Sequence, residues 1–158
     1  MSKCVQSLGR GAGVLLPISS LPSNYGIGTF GKEAYQFVDA LAEAQQTFWQ
    51  VLPVGPTSFG DSPYQSFSAF AGNPYFIDFE ILMEKGLITE KDVEAYDWGA
   101  DPTDIDYEKL YNSRFKVLRK AYRASHFKKE KDYQRFVKRN KVVSNRGVIM
   151  RSKRFKFV

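Results

Sequence analysis

A stretch free of Gly and Pro, residues 32–45, separates two short apolar runs, and no other feature limits the fold so tightly. Ala34, Phe37, Val38, Leu41 and Ala44 recur along it at helical spacing. Lys32, Glu33, Asp39 and Glu43 fall mostly on the other side, so the stretch predicts an amphipathic helix. The run before it, Val14-Leu15-Leu16-Pro17-Ile18, ends in turn residues and reads as a buried strand. The run after it, Phe48-Trp49-Gln50-Val51-Leu52, reads as a second strand cut by Pro53. Two apolar strands joined through a helix make a βαβ unit with parallel strands, in an α/β protein.

Residues 55–75 follow as a loop of about twenty residues, longer than most connections and of the length that often carries function. Pro, Gly and Ser interleave there with Phe59, Tyr64, Phe67, Phe70 and Tyr75. Asn73-Pro74 is a candidate for a cis peptide, since such bonds occur before proline. Asp78 is placed to cap a short helix running to Met83 and stopping at Gly86. Thr89-Glu90-Lys91-Asp92 resembles a capping box, with Asp in place of Glu, opening a helix to about Tyr96. An acidic linker covers Trp98 to Asp106. Tyr107 to Ala124 predicts a long helix with Tyr111, Phe115, Leu118 and Tyr122 on one face. A last helix, Lys131 to Asn140, is expected to bury Tyr133, Phe136 and Val137.

Composition excludes several classes. At 158 residues, 43% hydrophobic and 25% charged, the chain has the make-up of a soluble globular domain. No uncharged stretch is free of Pro, Gly, Ser and Asn for long enough to span a membrane, and Met1-Ser2-Lys3-Cys4 lacks the apolar run of a signal peptide. One Cys and one His allow neither an internal disulfide nor a zinc cluster, and suit a reducing compartment. The net charge of +6 is unevenly spread. Residues 1–107 carry 5 Lys/Arg against 14 Asp/Glu, whereas residues 108–158 carry 18 against 3. From Tyr133 onward there are 9 basic residues and no acidic one. An acidic front joined to a basic back is a pattern seen in nucleic-acid and membrane tails.

The chemistry concentrates in Gly60-Asp61-Ser62-Pro63-Tyr64-Gln65-Ser66. Sugars present hydroxyls at their edges and C–H faces above and below. A loop that binds them needs Asp, Gln or Ser for the edges and flat rings for the faces, and this one has both. Its acidic setting suits a neutral ligand better than a phosphate. The same composition would also serve a rigid aromatic loop that merely packs on the fold. Gly26-x-Gly28-x-x-Gly31 matches a dinucleotide-binding spacing, but the gap from strand to first glycine is too long for that tight turn. Hydrolysis or transfer at a glycosidic bond needs two placed carboxylates. Asp61 is the best isolated candidate and has no partner in a comparable setting. Asp101, Asp104 and Asp106 form a solvated run, and Glu33, Asp39 and Glu43 lie on the exposed helix face. His126 stands beside Lys128 and Lys129 as a surface residue, and Cys4 lies near the terminus.

Residues 13 to about 106 resemble the N-terminal part of the 4-alpha-glucanotransferases (amylomaltase, or disproportionating enzyme). The resemblance is carried by Gly13-Val14-Leu15-Leu16-Pro17-Ile18-Ser19-Ser20-Leu21-Pro22 and by Tyr25-Gly26-Ile27-Gly28. It continues in Phe48-Trp49-Gln50-Val51-Leu52-Pro53-Val54-Gly55-Pro56-Thr57 and, most specifically, in the block from Gly60-Asp61-Ser62-Pro63-Tyr64 to Gly72-Asn73-Pro74-Tyr75. Residues 107–140 continue it more weakly. The resemblance implies a (β/α)8 TIM barrel with an inserted helical subdomain, of which this chain holds only the N-terminal portion, so that the barrel is incomplete. Residues 1–80 would be the first βαβ unit and its aromatic loop, 81–140 the helical insertion, and 141–158 a basic tail unlike the family. It also implies a cytoplasmic enzyme without a cofactor or metal, acting on maltooligosaccharides or other 1,4-alpha-glucans, with no membrane partner and no nucleic-acid partner expected. The reaction is a retaining transfer: a carboxylate attacks the anomeric carbon, a glucosyl-enzyme forms, and a second sugar accepts the chain. Carried over, Tyr64 would stack on glucose with Ser62 and Asp61 near it on the acceptor side. Phe59 stands where the family often has Tyr, keeping the ring without its hydroxyl.

By the same resemblance, the whole protein would be roughly three times this length, and the catalytic carboxylates would lie on later strands beyond residue 158. No catalytic residue is therefore assigned within the chain, which is expected to be inactive by itself and poorly soluble. Near residue 141 the family pattern reads Trp-Leu, where this chain has Val142-Val143. Two Val codons read one base later can encode Trp-Leu, so a one-base frameshift is the expectation. The DNA downstream of codon 141 tests it. A second reading makes the chain a small non-enzymatic module whose basic back binds RNA or another acidic partner.

Overall fold

The computed structural model describes residues 10–139 other than 59, 69, 70, 100 and 102. Phe59 and the tail at 141–158 lie outside the described residues.

The βαβ unit is present. Strand β1 (Gly13–Leu15) and strand β2 (Phe48–Gln50) run parallel, with Val14 opposite Trp49, and helix α1 (Lys32–Glu43) connects them. Both strands are shorter than their apolar runs. After Leu16 donates its N–H to the Gln50 carbonyl at 3.0 Å, Pro17 has no N–H to continue the ladder, and the chain tightens into a 3-10 turn at Ile18–Ser20. Helix α1 ends where Gln45 turns left-handed at φ 56°, letting the Gln46 N–H reach back to the Leu41 carbonyl at 2.9 Å.

The strands are not buried as their composition predicts. All of β1 is exposed, Leu15 at 55%, and of the α1 stripe only Ala34 is buried while Val38 is exposed. A parallel strand is buried when neighbouring strands and helices on both faces cover it. Among the described residues each strand has one partner, the other strand.

The helical half packs on itself and on the loops that follow the two strands. Helix α2 (Phe79–Glu84) is capped by the Asp78 carboxylate, which accepts from the Ile81 N–H at 2.9 Å, and the chain turns away at Gly86 with φ 67°. Helix α3 (Glu90–Glu94) opens with the Thr89–Asp92 capping box. Helix α4 (Tyr107–Ala124) spans the expected residues and is capped by Asp106, which accepts from the Lys109 N–H, so Asp106 is structural rather than part of a free acidic run. Its buried face is Leu110, Ser113, Arg114, Val117, Leu118 and Ala121. This corrects the face expected from the aromatic spacing: Leu118 belongs to it, but Tyr111 is exposed. Phe79, Ile88, Val93, Val117, Leu118 and Ala121 form one core. Ile27, Tyr75 and Leu110 form another, where the loops after both strands meet α4. Helix α5 (Lys131–Arg139) buries nothing, contrary to expectation; Phe136 is exposed, and Tyr133 instead sets its ring edge-on to Phe127.

Candidate functional site

Beyond the C-terminal ends of β1 and β2 lies a cleft partly open to solvent. Pro17 and Ile18 from the end of β1 and Leu52 and Pro53 from the end of β2 form its floor, while Asp61, Asn73, Tyr75 and Tyr107 bring polar groups to its walls. The long loop reaches the cleft through a tight turn in which the Asp61 N–H donates to the Ser58 carbonyl at 3.2 Å. Gly60 (φ 91°) and then Asp61 (φ 53°) are left-handed, a conformation Asp tolerates better than most residues. The Thr57 hydroxyl donates to Asp61 Oδ1 at 3.3 Å. Downstream, Asn73 Oδ1 accepts from the Tyr75 N–H at 3.0 Å and starts a 3-10 turn at Pro74–Phe76, which turns Tyr75 inward. The peptide at Asn73-Pro74 is trans, so the cap and not a cis bond shapes this corner.

The four sequence candidates part company here. Asp61 lines the cleft. Ser62 accepts from the Tyr64 N–H at 3.4 Å and shapes the turn. Tyr64 is 73% exposed and is not among the residues that line the cleft. Phe59 is outside the described residues. Sequence reasoning missed Asn73 and Tyr107 as wall residues; the Asn-Pro pair marked only a turn, and Tyr107 read as the first residue of a helix.

The electrostatics join the walls. Burial pushes the Tyr75 phenol up to about 12, and the Asp61 charge adds to the shift. The Tyr107 phenol is raised in the same way, by burial first and then by Asp61. Both hydroxyls therefore keep their protons well into the alkaline range and remain donors. A carboxylate acceptor, two phenol donors, an amide and a hydroxyl around an apolar floor suit a ligand with many hydroxyls. Among the described residues no group of three His, Cys, Asp or Glu could hold a metal.

The glycine triplet has a packing role. A Cβ on Gly28 would lie 2.1 Å from the Ile18 carbonyl oxygen, and one on Gly31 would lie 2.1 Å from the Asp78 carboxylate. These glycines let the loop after β1 pass against backbone and a capping carboxylate.

Fold and cleft together define an α/β protein with a polyhydroxyl-suited site at its strand ends. The family model described as 4-alpha-glucanotransferase matches residues 16–147. The chain belongs to that family. A 4-alpha-glucanotransferase of Streptococcus pneumoniae is 52% identical over 132 residues, which are 83% of this chain and 26% of the relative. One from Thermus thermophilus is 48% identical over 116 residues, 73% of this chain and 22% of the relative. The structure of amylomaltase from Streptococcus agalactiae in complex with acarbose superposes with a TM-score of 0.77 at 49% identity, covering 86% of this chain and 28% of that one. The chain thus spans about a quarter of the length of these relatives. The family match continues past residue 141, through the first part of the basic tail.

Proposed function

We propose that the cleft is the acceptor-side wall of a 1,4-alpha-glucan site, and that the chain supplies the first βαβ portion of a (β/α)8 barrel with residues 81–140 as a helical insertion. The observation that carries this is the placement of Asp61. It lies on a loop at the C-terminal ends of parallel strands, where barrel sites form, and shares the cleft wall with Tyr75 and Tyr107. Tyr64 stacks on a glucose ring and Asp61 accepts from sugar hydroxyls, with Ser62 holding the turn between them; Phe59 adds a second ring. The family names support the substrate class. In the whole protein the work is transfer of a glucan segment to an acceptor sugar without a cofactor, in the cytoplasm. Among the described residues no helix is long and apolar enough to cross a membrane.

Retaining transfer needs a nucleophilic carboxylate and an acid/base carboxylate about 5 Å apart across the bond. Among the described residues Asp61 has no such partner in the cleft, so the expectation is that the 158 residues alone bind glucan without transferring it. Incubation with maltotriose is expected to leave it unchanged, while calorimetry detects its binding. Tyr64→Ala should weaken that binding about tenfold, the loss of one stacked ring. Longer and shorter oligosaccharides appearing in the incubation would overturn the first expectation, and unchanged affinity in Tyr64→Ala the second. No observation favours the RNA-binding module.

A further inference from the structure

Arg114 is the largest fully buried side chain of the described residues, and among them it neither lines the cleft nor belongs to an ion pair. It projects from the middle of the α4 face that otherwise packs Leu110, Val117, Leu118 and Ala121. A charge placed there is costly unless its donors are satisfied. Its Nη2 donates to the Ile77 carbonyl at 2.6 Å and its Nη1 to the Tyr25 carbonyl at 3.3 Å. Its Cζ lies 4.2 Å from the centre of the Phe79 ring, and its Nε has no hydrogen-bond partner.

The two carbonyls belong to different loops. Tyr25 lies in the loop after β1, two residues before Ile27; Ile77 lies in the chain after β2, two residues after Tyr75. Ile27 and Tyr75 both line the cleft. The loops also touch directly, through the Phe30 N–H to the Phe76 carbonyl at 3.0 Å and the Thr29 hydroxyl to Asp78 Oδ2 at 2.5 Å. Those ties hold the loops to each other. Arg114 alone of the three comes from the helical segment, and its planar fork fixes the spacing of the two carbonyls it spans.

We propose that Arg114 is a positioning residue through which helix α4 sets the separation of the two loops that wall the cleft, and so the fit of the glucan between them. This rests on the reading of the cleft as a glucan site. An apolar residue would fill the volume without fixing the spacing, and a lysine ammonium, a compact charge with three rotatable donors on a flexible stem, lacks the planar fork that sets the two carbonyls in one geometry.

The test compares the parent chain with Arg114→Met, Arg114→Lys and Tyr64→Ala, each measured for maltotriose affinity by calorimetry and for amide hydrogen exchange residue by residue. Arg114→Met is expected to weaken binding by about fivefold or more, and Arg114→Lys by less but measurably. In both, exchange should quicken at Ile27 and Tyr75 while the protected amides of α1 keep their rates. A residue that only stabilises the fold would quicken exchange everywhere. Folded Arg114→Met with parental affinity overturns the proposal, as does exchange that rises uniformly. Should Arg114→Met fail to fold, Arg114→Lys decides: parental affinity and parental exchange at Ile27 and Tyr75 overturn it. If the parent binds no maltotriose, or Tyr64→Ala leaves binding unchanged, the glucan reading falls. Exchange at Ile27 and Tyr75 then still decides whether Arg114 sets the loop spacing.

Discussion

The strand half of this chain carries fewer charged residues than the helical half, yet it leaves more of its apolar side chains in water. Around α2, α3 and α4, Phe79 and Leu110 are wholly buried and Val93 is 1% exposed. Around β1, α1 and β2, Leu15, Val14 and Val38 are exposed, and only Ile18, Leu21 and Ala34 make a buried cluster. A helix can bury its stripe against two neighbours supplied by nearby sequence. A parallel strand needs strands on both edges and cover on both faces. The helical half covers its apolar face with its own helices and with the loops that follow the strands, whereas the strands, among the described residues, have no further strand to cover them. Open strand edges beside exposed Val and Leu are also a template for association.

The largest expected effect is the contrast itself. Phe79→Ala should destabilise by about 3–5 kcal/mol, since it empties a fully packed site, and Leu15→Ala by under about 0.5 kcal/mol. Urea denaturation of the two variants measures both, and similar costs would break the comparison. Next, Asp78→Ala should cost about 1–2 kcal/mol, because the carboxylate both caps α2 and accepts from Thr29. Thermal unfolding monitored by circular dichroism reads this change.

A third expectation concerns acid. The hydrogen bond from Lys120, with those from Thr89, pulls the Asp92 carboxyl down to about 2. A carboxyl depressed in the folded state adds stability above its unfolded pKa and loses it as pH falls through the folded value. The tie between α3 and α4 should therefore weaken between pH 4 and pH 2, and Asp92→Asn should flatten that part of the pH profile. A profile equally steep in Asp92→Asn would assign the acid sensitivity elsewhere. The last effect is a small gain in the strand half. Gln45→Gly should stabilise by about 0.5 kcal/mol, the left-handed strain of about 1 kcal/mol less the entropy cost of glycine. Denaturant midpoints resolve it.

Local signals carried far in this chain. The capping residues Asp78 and Thr89 with Asp92 act over three residues, and the sequence places them correctly. Helix α4 begins and ends at the expected residues because Asp106 stops helical pairing at one end and the chain turns extended at Ser125 at the other. The buried face of α4 was harder to read. Tyr111, Phe115 and Tyr122 are apolar enough to claim it, yet the face is set by what lies opposite, which includes two carbonyls that call for Arg114. The same limit holds in the cleft. Asp61 and Tyr64 stand out within one polar, aromatic loop, whereas Tyr107 reaches the wall only because α4 packs on the core around Tyr75 and Leu110.

By itself, the sequence determined the parallel βαβ order, the helix caps and the block of residues that marks the family, because each depends on periodicity or on neighbours a few residues apart. Tertiary structure alone decided which face of α4 is buried, why glycine stands at 28 and 31, and how Asp61, Tyr75 and Tyr107 come to share one cleft. Those outcomes rest on contacts between segments tens of residues apart. There, close approach of backbones and the removal of polar groups from water determine which side chain fits, and no local pattern records that choice.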